Sequence, residues 1–244
     1  MLPDKFVVID LETTGLDPER HRIIEIAALK VEGGEVKDLY QTLVNPGVPL
    51  PFYIQKLTGI DEKMLSLAPD LDRVLPVLWD LVKGLPVVGH NISFDLAFLC
   101  RAFNLTSWPY PYFDTFPLCR IIYPRLSSYS LESLSRFLDL KAEAHHRALA
   151  DAHTTLELFL RLWQDTLSLE KELLRRMLHL SPPPLRPWFE GALSSSPTLC
   201  AEAAASAFNP AREGPILQER KDVPPTGEAA LLDRRYGFPL GPRG

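Results

Sequence analysis

Apolar positions in the first part of the chain come in short β-branched blocks. Lys5 to Leu11 (KFVVIDL) is one such block and ends on a carboxylate, and Arg22 to Val31 (RIIEIAALKV) is a second, rich in Ile, Ala and Val. Both predict strands. Gly33 and Gly34 supply a tight turn, Val36 to Val44 (VKDLYQTLV) suits a third strand, and Asn45, Pro46 and Gly47 close it with strong turn chemistry. The opening therefore reads as a three-stranded antiparallel meander.

The period then changes. From Pro69 to Lys83 the apolar residues Leu71, Val74, Leu75, Leu78, Trp79 and Val82 recur every three or four positions, which predicts a helix, kinked at Pro76 and stopped by Gly84. Pro86 to Gly89 (PVVG) predicts a short buried strand, and Phe94 to Phe103 returns to helical spacing. Short helices are expected at Thr115 to Tyr123 and at Ser130 to Leu138, the latter capped by Ser130, and a long one from about Arg147 past Trp163. A meander followed by alternating helices and strands implies an α/β domain with a mixed sheet. Beyond Ser181 the periodicity is lost amid Pro182-Pro183-Pro184, Ser194-Ser195-Ser196 and an Ala-rich patch at Ala201 to Ala207. This divides the chain into a domain over residues 1–180 and a linker-like or partly disordered tail over 181–244, with one short helix near Ala201.

With 244 residues, 46% of them hydrophobic, the chain can bury one sizeable core. No apolar run approaches the roughly 20 residues of a membrane helix, so a soluble protein without a membrane partner is expected. The N-terminus lacks the basic flank and cleavage site of a secretory signal, and the mature chain is expected to start here. Three cysteines, Cys100, Cys119 and Cys200, are far apart and form no C-x-x-C pair, which fits a reducing cytoplasm. A net charge of -5 argues against tight non-specific gripping of duplex DNA. It leaves room for a nucleic-acid enzyme, because clustered carboxylates inflate the negative count until cations fill them.

Such carboxylates occur in three places. Asp10 and Glu12 lie two apart on the first strand, so both face one side of the sheet. Asp95 follows the polar turn His90-Asn91-Ile92-Ser93-Phe94, where Asn91 or Ser93 could cap a helix whose first turn holds the aspartate. Asp151 lies early in the long helix, after His145-His146-Arg147. Each alone suits a solvated edge or helix start. Three together, all at strand ends or helix starts beside small or polar residues, point to one hard-cation site. Glu25 lies outside these motifs and reads as structural.

The stretches DLETTGL (Asp10 to Leu16), HNISFD (His90 to Asp95) and HRALAD (His146 to Asp151) resemble the three ordered motifs of the DEDDh exonuclease superfamily, and Leu57-Thr58-Gly59-Ile60 resembles a further cue between the first two. The resemblance covers roughly Lys5 to Gln164 and extends to the proofreading subunit of bacterial DNA polymerase III and to exonuclease domains fused to bacterial helicases. It implies a ribonuclease-H-like fold, a mixed five-stranded sheet flanked by helices, here with a Pro-rich C-terminal tail. By the same resemblance Asp10, Glu12 and Asp151 bind a first Mg²⁺ or Mn²⁺, Asp10 bridges to a second and Asp95 supports that second ion. His146, chosen over His145 by its spacing to Asp151, is the general base. Thr13, Thr14 and Leu16 would cradle and wedge the terminal nucleotide, Ile60 and Phe94 would add apolar surface, and Asn91 completes the substrate-binding set. The implied activity is 3′-to-5′ removal of nucleoside 5′-monophosphates from a single-stranded or frayed DNA end, in proofreading or repair. A polymerase or helicase partner would engage the tail. The readings left open are RNA trimming and a binding module with a vestigial site.

Overall fold

Side-chain alternation in the first strand decides how the layers stack. The chain is described here from a computed structural model over residues 2–141 and 146–195. Its strands are β1 (Lys5–Thr13), β2 (Ile23–Glu32), β3 (Glu35–Leu43), β4 (Val87–Gly89) and β5 (Tyr112–Asp114), in the spatial order β3-β2-β1-β4-β5. The first three form the antiparallel meander, and β4 and β5 add parallel to β1, giving the mixed sheet implied by the resemblance. Gly33 and Gly34 both adopt positive φ in the β2–β3 turn, as a tight hairpin with the sheet's right-handed twist requires.

Between β3 and β4 lie α1 (Phe52–Thr58), α2 (Glu62–Ser66) and α3 (Leu71–Val82), and α4 (Ser93–Ala102) follows β4. After β5 come α5 (Thr115–Ile122), α6 (Leu131–Leu138), α7 (Ala148–Leu167), α8 (Lys171–Leu180), a 3₁₀ turn (Pro183–Leu185) and α9 (Arg186–Ser194). On β1, Val7, Ile9 and Leu11 pack towards α3 and α4, while Phe6 and Val8 pack towards α7. The even-numbered face thus belongs to α7, whose Ala148, Ala152, Leu156 and Phe159 form its sheet-facing stripe. Phe6 and Phe159 meet edge to face at 5.2 Å, and small Ala148 and Ala152 face the sheet in the helix's first turns.

Several elements differ from the sequence reading. The helices α1 and α2 and the strand β5 were not expected: each is seven residues or shorter, too brief for a period to register, and β5 is defined by its pairing with β4. The helix α3 runs on through Pro76 as one element. Packing also continues past the boundary drawn at residue 181, which is a correction to that boundary. The proline run is a 3₁₀ turn leading into α9, with proline in the first turn, where a missing N–H costs nothing. Trp188 and Phe189 are fully buried in the α7-side core. Trp188 packs on Trp163 at 5.0 Å and Phe159 at 5.2 Å, and its Nε1–H donates to Thr166 Oγ1 at 3.0 Å. The helix expected near Ala201 lies outside the described residues. Among the described residues no helix is long and apolar enough to cross a membrane.

If α9 belongs to the core, Trp188→Ala should cost about 3–5 kcal/mol in urea unfolding, the usual loss for a buried aromatic. A change below about 0.5 kcal/mol, typical of surface positions, would return α9 to the tail.

Candidate active site

The C-terminal end of β1 is where the chemistry-bearing residues meet. Asp10 and Glu12 continue the even-numbered face below α7, and Asp151 sits in the first turn of that helix, three residues after Ala148 on the same stripe. One carboxylate oxygen from each of Asp10, Glu12 and Asp151 lies within 4.8 Å of the others, and all three residues are partly buried. Side chains 141 positions apart therefore converge, as Asp10 and Asp151 are in sequence. The donors are hard oxygens without a thiolate, and their mutual separation matches what one divalent cation could gather.

Asp95 approaches from the other helix layer. The ladder between β1 and β4 covers only Val7 and Val8, so the strand edge beyond is open, and Asp95 Oδ1 accepts the Leu11 N–H there at 3.0 Å. Asp95 is buried in the first turn of α4, next to the strand that carries Asp10 and Glu12. The turn before it is held from β5. Asp114 Oδ1, which caps α5 by accepting the Phe116 N–H at 3.0 Å, also accepts the Asn91 N–H at 2.8 Å, and α4 itself starts without the side-chain cap anticipated from Asn91 or Ser93. His90, the first residue of its motif, is internal: its ring bonds Thr115 Oγ1 and the Tyr129 carbonyl, both at 2.8 Å, and burial lowers its pKa.

This crowding changes the proton affinities. Burial, and then the charges of Asp95, Asp151, Glu12 and Glu25, hold the Asp10 carboxyl well above the usual range. Burial, followed by Asp151 and Glu25, pushes Glu12 up to about 7, with Arg147 pulling the other way. Asp95 is raised chiefly by burial, although its own N–H and that of Leu11 oppose the shift. Several acids forced together out of water at this end of the sheet form a site short of positive charge.

His146 stands two residues before α7 with an exposed side chain and a left-handed backbone (φ 65°), a conformation that non-glycine residues adopt sparingly. Its N–H donates to Asp151 Oδ2 at 3.0 Å, which ties the segment to the carboxylate cluster. His145 lies outside the described residues.

The substrate-binding candidates divide. Leu16 is 83% exposed on the loop after β1, an apolar side chain offered to solvent. The loop below it is closed on itself. Thr13 Oγ1 donates to the Gly15 carbonyl at 2.7 Å, Thr14 Oγ1 accepts the Arg22 N–H at 3.0 Å, and a Cβ on Gly15 would meet the His21 ring at 2.4 Å. Both threonines are buried, so their hydroxyls shape the loop. Asn91 is exposed, with φ 61°. Phe94 is partly buried against Phe98, with ring centroids 5.0 Å apart. Ile60 is fully buried with Ile24, Leu50, Ile54 and Leu65, and it is corrected from a nucleotide contact to a core residue.

A family model described as an exonuclease, of the RNase T type, matches residues 7–159. The chain belongs to this exonuclease family. The exonuclease domain is 37% identical over 168 residues to the DNA polymerase III subunit epsilon of Aquifex aeolicus, covering 68% of this chain and 83% of that protein. It is 40% identical over 164 residues to the PolC-type DNA polymerase III of Caldanaerobacter subterraneus, where the match covers 66% of this chain but only 12% of the polymerase. Among solved structures, Exonuclease X in complex with 5′-overhanging duplex DNA aligns with a TM-score of 0.55 and 28% identity over 65% of this chain and 91% of that one.

Around the clustered carboxylates, the sequence does not single out Arg147 or Asp114, and Glu25, read there only as structural, proves to face Arg147 and the start of α7. A signal existed for Glu25, the one charge in the apolar run from Ile23 to Leu29, whereas Asp114 acts only through a pairing that the sequence does not display.

The raised acids give a pH dependence with a definite sign. A carboxyl whose folded pKa lies above its unfolded value contributes stability in full below about 4.5, and that contribution is lost as the pH rises through about 7, the value for Glu12. The melting temperature of the protein in chelator should therefore fall between about pH 5 and pH 8, and fall less in Glu12→Gln. Mn²⁺ should reverse the fall in the wild type. An identical pH slope in wild type and Glu12→Gln would contradict this assignment.

Proposed function

We propose that this exonuclease hydrolyses the terminal phosphodiester at the 3′ end of a DNA strand, single-stranded or frayed, and releases nucleoside 5′-monophosphates in proofreading or repair. The observation that carries the reading is the convergence of Asp10, Glu12 and Asp151 within 4.8 Å, with His146 tethered to Asp151 by its backbone.

The donor set suits Mg²⁺ or Mn²⁺: Asp10, Glu12 and Asp151 would hold one ion, and Asp10 and Asp95 would help to hold a second. Bound there, a pair of such ions supplies Lewis-acid activation of water and charge stabilisation for the departing 3′ oxygen. The remaining work falls to the chain itself. His146 accepts the proton of the attacking water at a ring nitrogen, a task suited to an imidazole near neutral pH. Its exposed side chain stands where a strand end can reach it. Leu16, carried on a loop braced by Thr13, Thr14 and His21, wedges against the last base and separates it from its neighbour. Asn91 and Phe94, at the start of α4, border the nucleotide on the side of Asp95.

The resemblance to polymerase III epsilon and PolC-type chains supports a polymerase as the partner, engaged through residues beyond the domain. The match to duplex-bound Exonuclease X supports DNA as the substrate.

Purified protein incubated with 3′- or 5′-labelled single-stranded DNA and RNA of matched sequence tests the proposal. With Mn²⁺ or Mg²⁺, DNA should shorten stepwise from the 3′ end, and chelator should stop it. Asp10→Ala should abolish shortening, and His146→Ala should lower turnover by roughly 10²–10⁴-fold, as expected for loss of a general base, while retaining Mn²⁺ binding. Shortening of RNA alone would move the assignment to RNA trimming. Binding without cleavage in either metal would leave a binding module.

A further inference from the structure

Glu25 is the most completely enclosed charged side chain near the site, with 0% exposure, and it is not one of the motif carboxylates. It lies directly across from Glu12 in the β1–β2 register, so two like charges share one cross-strand pair, an arrangement that is destabilising unless countered. The counter-charge comes from the residue before α7. Arg147 Nη2 donates to Glu25 Oε1 at 2.8 Å and Arg147 Nε donates to Oε2 at 3.1 Å, a two-pronged grip of guanidinium on carboxylate. Gln41 on β3 holds Oε1 from the other side at 2.9 Å.

The same carboxylate also ends α7. The helix begins at Ala148 with no side-chain cap of its own, and the Ala148 N–H, which has no acceptor within the helix, donates to Glu25 Oε2 at 3.1 Å. A negative charge at this end of the helix is further favoured by its dipole. Residue 147 is also the link between the two reactive groups. The Asp151 N–H donates to the Arg147 carbonyl at 3.0 Å, and Asp151 Oδ2 accepts the N–H of His146, the preceding residue.

We propose that Glu25 and Arg147 are a positioning pair, which seats the first turn of α7 on β2 and so sets Asp151 and the His146 segment against Asp10 and Glu12. The proposal rests on the exonuclease reading for its consequence in catalysis, but not for its effect on the helix start. An ion pair serving stability alone is replaceable by apolar packing at little cost, because desolvation of the charges offsets their attraction. Glu25 here also accepts the Ala148 N–H, the first of the helix that carries Asp151.

Glu25→Gln, Arg147→Lys, Arg147→Gln and the double variant Glu25→Gln/Arg147→Gln test it in the full chain. Three readouts apply: Mn²⁺ affinity by electron paramagnetic resonance of the free ion, kcat and KM on labelled single-stranded DNA, and amide exchange along α7. Glu25→Gln and Arg147→Gln should each weaken Mn²⁺ binding by roughly 10–100-fold, with a similar loss in kcat and little change in KM. Arg147→Lys should retain more than Arg147→Gln, and the double variant should lose no more than the worse single, since one device is removed in each case. Exchange should quicken at Asp151 and Ala152 while Leu158 to Leu162 stay protected. Wild-type Mn²⁺ affinity and kcat in both glutamine variants would overturn the proposal, whatever happens to stability. If a glutamine variant fails to fold, Arg147→Lys decides on the same measurements. A wild type that binds Mn²⁺ without shortening any strand would overturn the exonuclease reading alone, and the Mn²⁺ and exchange results would still decide on the pair.

Discussion

Mutual repulsion among half-buried carboxylates is the constraint around which this domain is arranged. Asp10, Glu12, Asp95 and Asp151 are gathered at one end of β1, and burial together with neighbouring carboxylates raises the cost of ionising Asp10, Glu12 and Asp95. A fold assembled only for stability would not collect them, since burial and neighbouring like charge both penalise the ionised form. The arrangement suits a divalent cation, because ligands held close against their own repulsion bind one without first having to be gathered.

The rest of the molecule supplies the means of holding them. Strand alternation puts Asp10 and Glu12 on one face, and Ala148 and Ala152 at the start of α7 leave that face free of bulky side chains next to Asp151. On the opposite layer the early end of β4 leaves a free N–H on β1, which Asp95 takes. Both helices that bring an aspartate to the site start without a side-chain cap of their own. Their leading residues are held instead by carboxylates from elsewhere in the chain, Asp114 before α4 and Glu25 before α7. Behind this, Trp188 and Phe189 of α9 close the core around the far part of α7, so the helix is fixed along its length.

How much of this the sequence displays follows from the range of the interactions. The meander, α3, α4, α6 and α7 are legible because their apolar periods are local and long enough to count. Asp10 and Glu12 are legible as a pair because strand geometry alone puts them together, and the three motifs in order mark the remaining carboxylates. What the sequence conceals is non-local. Nothing in Tyr112–Asp114 announces a strand until β4 lies beside it, nor that Asp114 will brace the turn before Asp95. The proline run at 182–184 looks like a linker because prolines break helices, yet it serves as the approach to α9. Glu25 looks like an ordinary strand charge until Arg147, 122 residues away, closes on it. Ile60 belonged to a stretch that resembles a substrate cue, and only its burial beneath α1 and α2 shows that its side chain faces inward.

The central claim is that side chains from β1 and α7 jointly seat a divalent cation. Anomalous diffraction from crystals soaked in Mn²⁺ measures this most directly, since the metal is located without reference to activity. The account expects a strong anomalous peak in contact with Asp10, Glu12 and Asp151 together. A peak bound elsewhere, or none at the end of β1 at a concentration that saturates binding in solution, would contradict it.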